Sequence, residues 1–217
     1  MARRSGTSDD DFAQAELAIA SRYLAGDTPW RQSGFSGPYE RWAALRRPVA
    51  DAIDRSGSFL DVGCANGYLL ECIARWVAER GLSLELSGID LSPDLIALAR
   101  ERLPRCADRL ASADARTFEP PRRYDFVRTE LIYVPAQQEA AYVARLLERT
   151  VAPGGALLVA NYLEDAPDAS ARIAPGAHPT TRIVERLAEL GFRAERWLDG
   201  FDPTKKGRKV RVAVLRG

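Results

Sequence analysis

From Ser58 onward, short apolar runs alternate with longer amphipathic segments, and this alternation limits the possible folds more than any other feature. The apolar runs predict strands at 59–62, 84–89, 110–113, 124–128, 156–162, 193–198 and 209–215. Helical spacing predicts helices at 67–80, 92–103, 137–150 and 181–190. Strands that alternate with such helices form a mainly parallel sheet covered on both faces. We therefore predict an α/β, doubly wound fold.

The first 55 residues follow a different pattern. Helical spacing at 11–24 and 40–55 predicts two helices, the second interrupted or restarted at Pro48. Between them lies a loop rich in Gly, Pro and Ser, whose aromatic residues Trp30 and Phe35 either close over a ligand or pin the loop to the body. We expect residues 1–55 to form a helical lid on a core at 56–217, within one structural domain.

Composition excludes several classes of protein. The 217 residues carry 31 Lys and Arg against 30 Asp and Glu, so the basic excess typical of nucleic-acid binding is absent and such a partner is unlikely on this ground. No apolar run approaches the roughly 18 residues that span a bilayer, and no apolar stretch follows Arg3 and Arg4 as in a secretory signal. The three cysteines form no C-x-x-C pair and are expected to be free thiols. We expect a cytoplasmic protein without a membrane segment.

The turn after the first predicted strand reads Asp61-Val62-Gly63-Cys64-Ala65-Asn66-Gly67. Glycine lets the backbone approach a ligand closely, and open α/β sheets bind ligands at this end of their strands. Positions 65 and 68 are not glycine, so the turn lacks the dinucleotide spacing, and no phosphate-binding loop is present. Two local roles stay open: Asn66 also suits a helix cap, and Cys64 a small filler.

Two further acids follow the next two predicted strands. Asp90, followed by Leu91, can accept two hydrogen bonds from a ribose diol. Asp114, followed by Ala115, can accept one from an exocyclic amine, although an Asp after a strand is also a common turn residue. Together with the glycine turn, these acids predict a nucleoside site without phosphate recognition.

In these motifs the sequence resembles the class I S-adenosylmethionine-dependent methyltransferases, whose first motif is D/E-x-G-x-G-x-G. Asp61, Gly63 and Gly67 match that motif, while Ala65 replaces the middle glycine. Asp90 and the Asp114–Ala115 pair match the ribose and adenine positions, and the segments 124–135 and 146–159 resemble the motifs of the fourth and fifth strands. The resemblance covers residues 55–217. It implies seven strands, the last antiparallel between the fifth and sixth, and S-adenosylmethionine as cofactor with S-adenosylhomocysteine as product.

The resemblance also implies roles for residues outside the glycine turn. Glu130, just past the fourth strand, is expected to hold the methionine moiety or the substrate, or to act as a base. Tyr133 either contacts substrate or packs. His178, the single histidine, is a candidate base or substrate contact, although an exposed loop histidine is the simpler reading. Near the N-terminus, Tyr39 or Arg41 is expected at the cofactor carboxylate.

The four tryptophans divide by position. Trp30 and Trp42, which precede the core, are candidate substrate contacts, whereas Trp76 and Trp197 fall in a predicted helix and strand and are expected in the core.

Three functions stay open at this point. Near-neutral charge and the aromatic N-terminal segment favour methyl transfer to an oxygen or nitrogen of a small molecule. Methylation of RNA or protein rests only on the basic run 205–209, although a turn between the last two strands is normally solvated and charged. The third is a cofactor-binding protein without catalysis.

One histidine and scattered cysteines do not predict a metal site. The acceptor and the oligomeric state are left open.

Overall fold

A computed structural model describes residues 9–166, 173–205 and 208–217, with the side chain of Asp9 excepted. Within these residues a seven-stranded sheet forms the centre of the molecule. Its strands are β1 (Gly57–Val62), β2 (Leu84–Asp90), β3 (Leu110–Ser112), β4 (Tyr124–Thr129), β5 (Val151–Asn161), β6 (Arg196–Phe201) and β7 (Lys209–Arg216). The strand order is β3-β2-β1-β4-β5-β7-β6.

All neighbouring pairs from β3 through β5 are parallel, and β7 lies antiparallel between β5 and β6. The predicted doubly wound α/β sheet and the central antiparallel position of its last strand are therefore confirmed. This order brings the ends of β1, β2, β3 and β4 to one edge of the sheet, where the loops after them meet.

In the part of the chain that the structure describes, six α-helices surround the sheet. They are α1 (Asp9–Leu24), α2 (Tyr39–Asp51), α3 (Tyr68–Ala78), α4 (Pro93–Arg102), α5 (Glu139–Arg145) and α6 (Ile183–Glu189). The helix predicted at 137–150 is α5 followed by a π-helical turn at Leu146–Thr150. Unlike the expected break, α2 runs through Pro48 without interruption.

The alternation of side chains along each strand divides the core into two layers. In β1, Phe59 packs into the layer that contains α2 and α3, whereas Leu60 and Val62 face the layer that contains α5 and α6. Both faces of the sheet are thus buried, as the near-continuous apolar strands require.

The fifth strand, predicted from residue 156, begins at Val151 in the structure, so the Pro153-Gly154-Gly155 segment lies within β5. Pairing with β4 shifts there, from Tyr124 opposite Val151 to Phe126 opposite Ala156. The segment is an irregularity of the strand, because β5 begins pairing before it.

The prediction that Trp197 is a core residue is wrong, whereas Trp76 is buried as expected. Trp197 lies on the edge strand β6 and is 50% exposed. The strand pattern predicted its secondary structure but not that the helices leave this face of β6 uncovered. No helix in the described part of the chain is long and apolar enough to cross a membrane.

These placements predict different costs for two Trp→Ala substitutions. Trp42 is fully buried, with ring centroids 4.8 Å from Tyr68 and 6.0 Å from Trp76, so Trp42→Ala leaves a cavity and should lower the free energy of unfolding by about 3–5 kcal/mol. Trp197→Ala, the matched control, should cost about 1 kcal/mol or less. The Trp197 side chain is half exposed, and its cation–π contact with Arg211 lies at the surface. Urea unfolding followed by circular dichroism measures both. Equal losses would contradict the assigned packing.

Candidate active site

One large cavity, of about 580 Å³, opens at the edge where the parallel strands end. The structure brings together there most residues predicted from the motifs: Gly63, Cys64, Ala65, Asp90, Leu91, Asp114, Ala115, Glu130 and Tyr133. They come from four separate loops, those after β1, β2, β3 and β4. The strand order alone places these loops side by side, as expected for a ligand site in an open α/β sheet.

The turn after β1 adopts left-handed backbone conformations at Gly63 and Ala65, with φ of 79° and 48°. At Gly63 a side chain is excluded twice, since an added Cβ would also overlap the ring of Tyr133. Ala65 adopts a conformation that favours glycine, which explains why related motifs carry glycine there.

Asn66 and Gly67 do not line the cavity. Asn66 Oδ1 accepts a hydrogen bond from the Tyr68 amide at 3.2 Å, and its Nδ2 donates to the Pro29 carbonyl at 3.0 Å. Asn66 therefore links the start of α3 to the N-terminal loop. The N-cap position itself is Gly67, and Asn66, one residue earlier, accepts from the first amide of α3.

Asp90 is fixed by two backbone amides. Its Oδ2 accepts from the Ala65 amide and its Oδ1 from the Ser92 amide, both at 2.9 Å. Burial raises the pKa of Asp90, while these amides and Arg128 act in the opposite direction. Each oxygen keeps a lone pair for a further donor, so the carboxylate suits the hydroxyl groups of a ribose.

Asp114 is engaged by a neighbour. The Arg116 side chain donates to Oδ2 at 2.6 Å and its amide donates to Oδ1 at 2.8 Å. Burial acts to raise the pKa of Asp114, but the hydrogen bonds from Arg116 outweigh it and lower the pKa. The carboxylate therefore faces the cavity as an ionised group that an exocyclic amine would share with Arg116.

Arg128, which sequence reasoning missed, is a buried cation at the end of β4. Its guanidinium donates to Asp61 Oδ1 at 3.1 Å, to the Tyr133 hydroxyl at 3.1 Å and to Glu130. The Tyr133 hydroxyl in turn donates to Glu130 Oε1 at 2.8 Å. The guanidinium also approaches the Gly63 carbonyl at 3.5 Å. The available signal was a charged residue directly after the buried apolar pair Phe126-Val127 of β4.

Asp61 lies beneath the glycine turn and does not line the cavity. It is fully buried, and its Oδ2 has no hydrogen-bond partner among the described residues. Burial raises the pKa of Asp61 to about 7, against the lowering effect of Arg128 and with smaller raising effects from Glu130 and Asp90. In this position Asp61 acts on the cavity through Arg128.

Helix α1 supplies a wall of the cavity that motif reasoning did not predict. Phe12, Glu16 and Tyr23 line the cavity from this helix. Burial raises the pKa of Glu16 to about 7, and Asp90 and Glu130 add to the effect. The available signal was an acid four residues after Phe12 and three before Ile19, on the apolar stripe of the helix.

At the far side of the cavity, beyond Glu130, the charges are positive. Arg46 of α2 lies over the ring of Tyr162, 3.4 Å from its centroid, and Lys205 and Arg208 line the same side. Arg41 also borders the cavity, but its Nε donates to the buried Asp202 at 2.6 Å.

Several predicted residues lie elsewhere. Trp30 and Tyr39 line a separate shallow groove, in which the Tyr39 hydroxyl accepts from Arg75 at 2.9 Å. His178 lies outside the cavity, with its Nδ1 3.1 Å from the Thr180 hydroxyl. Trp42 borders the cavity but is wholly buried. Of the basic run 205–209, residues 206 and 207 fall outside the described residues.

Arg128→Met should lower the free energy of unfolding by about 3–5 kcal/mol, because it leaves two acids without their buried partner. The loss should grow as pH rises above about 7. A folded-state pKa raised above the ordinary 3.8 gives stability that is complete at low pH and lost as pH rises, and for Asp61 this loss ends near pH 7 in wild type, where the folded protein releases the proton. Arg128→Met raises the pKa of Asp61 further, so the variant continues to lose stability above pH 7.

Urea unfolding at several pH values measures this change. The double variant Arg128→Met, Asp61→Asn is the matched control, since it removes the titrating acid and should recover part of the loss and most of the added pH dependence. A loss below about 1 kcal/mol in the single variant would contradict a stabilising role for Arg128.

Comparison with known proteins agrees with this geometry. A family described as "Methyltransferase domain" matches residues 59–155. The chain is 32% identical over 195 residues to a trans-aconitate 2-methyltransferase of Methylobacterium nodulans, covering 79% of this chain and 73% of the relative. It is 29% identical over 188 residues to a ubiquinone biosynthesis O-methyltransferase of Xanthomonas oryzae pv. oryzae, covering 81% and 72%.

Two solved structures share the fold. The N-methyltransferase NodS from Bradyrhizobium japonicum WM9, in complex with S-adenosylhomocysteine, superposes with a TM-score of 0.67 at 20% identity over 94% of this chain and 98% of that one. A 1,6-didemethyltoxoflavin-N1-methyltransferase from Burkholderia thailandensis, with S-adenosylhomocysteine bound, also gives 0.67, at 18% identity over 96% and 90%. With the identity to the curated relatives, the glycine turn and the acids after β2 and β3, these matches show that the chain belongs to the class I S-adenosylmethionine-dependent methyltransferases.

Proposed function

We propose that this methyltransferase acts on an oxygen or nitrogen nucleophile of a small-molecule acceptor. The observation that carries the proposal is the single cavity that continues from the cofactor-binding loops to Tyr162 and Val210, at the ends of β5 and β7. Helix α1 covers part of it, which suits a small molecule better than a polymer. Of the four relatives and neighbours above, three carry the names of O- or N-methyltransferases.

In this proposal the four strand-end loops hold the cofactor. Asp90 takes the ribose hydroxyls, Asp114 and Ala115 lie at the adenine, and Gly63 to Ala65 follow the methionine moiety. When bound, S-adenosylmethionine supplies a methyl group on a sulfonium, which is already an activated leaving group. Arg128 and Tyr133 both donate hydrogen bonds to Glu130, so we assign Glu130, as an acceptor, to the amino group of the cofactor and not to proton removal.

The carboxylates have a second effect. Glu16, Asp90 and Glu130 all line the cofactor side of the cavity, and ionised acids in a partly buried site stabilise a cation. We propose that the protein contributes this charge environment, alignment of the nucleophile and exclusion of water, which together lower the barrier by several kcal/mol. His178 has no part in this proposal, because it lies outside the cavity.

Within residues 1–55, we propose that α1 alone is the movable cover. Its side chains Phe12, Glu16, Ala20 and Tyr23 line the cavity. In contrast, α2 contributes Trp42, Leu45 and Val49 to the main core and belongs to the body of the domain.

Asp90→Asn should weaken binding of both S-adenosylmethionine and S-adenosylhomocysteine about 10- to 100-fold. The reason is the loss of charge-assisted hydrogen bonds to the ribose, each worth about 1.5–3 kcal/mol. Asp94→Asn, the same change at an exposed position in the first turn of α4, is the control and should bind normally. Isothermal titration calorimetry measures the affinities. Equal binding by both variants would reject the assigned cofactor site.

Affinity for S-adenosylmethionine should rise between pH 6 and 8, because Glu16, whose pKa lies at about 7, becomes an ionised neighbour of the bound cation. In Glu16→Gln the increase in affinity between pH 6 and 8 should be smaller, by a factor of up to about ten. S-adenosylhomocysteine, which lacks the sulfonium charge, should respond less. Asp10→Asn on the exposed surface of α1 is the control. An unchanged pH profile in Glu16→Gln would contradict the role of Glu16.

A further inference from the structure

We propose that the acceptor of this enzyme carries a carboxylate group, which Arg46 binds at the end of the cavity opposite the cofactor. This inference rests on the proposed function and extends it to the chemical class of the substrate. It concerns recognition of the acceptor and leaves open which of its atoms is methylated.

The position of Arg46 separates it from the cofactor loops. The residues assigned to the cofactor follow β1, β2, β3 and β4, whereas Arg46 lies over Tyr162, the residue directly after β5. In the sheet, β5 is the next strand beyond β4. A molecule that reaches from Glu130 towards Arg46 therefore extends past the cofactor and over the acceptor side of the sheet edge.

Arg46 differs from its neighbours on α2, because no acid in the described part of the chain is paired with it. Arg41 is paired with Asp202 at 2.6 Å and Arg47 with Glu79 at 2.8 Å. Among the described residues, no carboxylate lies within salt-bridge distance of Arg46. Its guanidinium instead lies against two aromatic rings, those of Tyr162 and Phe35, at 3.4 and 5.7 Å.

This environment suits an anion that binds from the cavity. A half-buried guanidinium without a counterion has lost part of its hydration. A carboxylate that accepts two parallel hydrogen bonds from the guanidinium compensates for the lost water. The contact with the aromatic rings holds the planar guanidinium in place, so little side-chain entropy is lost when an anion binds. Lys205 and Arg208, on the connection between β6 and β7, line the same side of the cavity and add positive potential.

The opposite end of the cavity carries the acids that line it. Glu16, Asp90 and Glu130 lie on the cofactor side, where the lining arginines Arg116 and Arg128 are already paired with acids. A carboxylate is repelled from these acids and attracted to the basic residues at the other end. The charge distribution therefore orients an anionic acceptor with its carboxylate away from the cofactor and the rest of the molecule towards it.

The test uses the full chain saturated with S-adenosylhomocysteine and two matched pairs of probes, succinate with succinamide and benzoate with benzamide. Ligand-observed NMR titration measures the dissociation constant of each probe for wild type, Arg46→Gln and Arg47→Gln. We expect wild type to bind the acids about tenfold more tightly than the amides, and Arg46→Gln to lose that preference. Arg47→Gln, the adjacent arginine on α2 that is paired outside the cavity, should keep it.

Calorimetric titration of S-adenosylhomocysteine into the same three proteins tests whether Arg46 binds the acceptor or the carboxylate of the cofactor. Affinities within twofold of one another are expected. A tenfold loss in Arg46→Gln would assign Arg46 to the carboxylate of the cofactor and overturn the inference, as would equal binding of acids and amides to wild type. Absence of S-adenosylhomocysteine binding to folded wild type would reject the proposed function itself.

Discussion

The arrangement of the site depends on one buried guanidinium. Arg128 reaches from the end of β4 to Asp61 at the end of β1, to Glu130 and Tyr133 after β4, and towards the carbonyl of Gly63. Because a single cation serves these groups, the glycine turn cannot move independently of the loop after β4. Replacing such a network with apolar residues is often compatible with stability, so the benefit of this one lies in fixing the relative positions of two loops.

Local motifs predicted which residues of the strand-end loops line the cavity, for a physical reason. A tight turn between a parallel strand and a helix needs left-handed backbone, which leaves a trace at Gly63 and Gly67. An acid directly after a strand must point to the sheet edge where the neighbouring loops meet. Both signals lie within a few residues in the sequence, and the alternation of strands and helices was enough to bring the loops together.

Contacts between segments that are far apart in the chain left no comparable signal in the sequence. Glu16 and Arg46 reach the cavity only because α1 and α2 pack where they do, and helical spacing does not identify the partner of a helix face. Trp197 was predicted to be buried and is exposed for the same reason, since strand periodicity does not reveal whether a helix covers that face of the sheet. The exposed groove at Trp30 and Tyr39 likewise follows from the packing of the N-terminal loop.

The attachment of α1 has a consequence for the order of events on the enzyme. Besides the cavity wall, α1 is held by a small apolar cluster in which Ala20 meets Ala65 and Leu95, far less than the contacts of the central strands. Such an element detaches at a lower free-energy cost than global unfolding, and ligands that touch it raise that cost. Occupancy of the cavity is therefore expected to govern amide exchange and protease access throughout α1, while the sheet stays protected in either state.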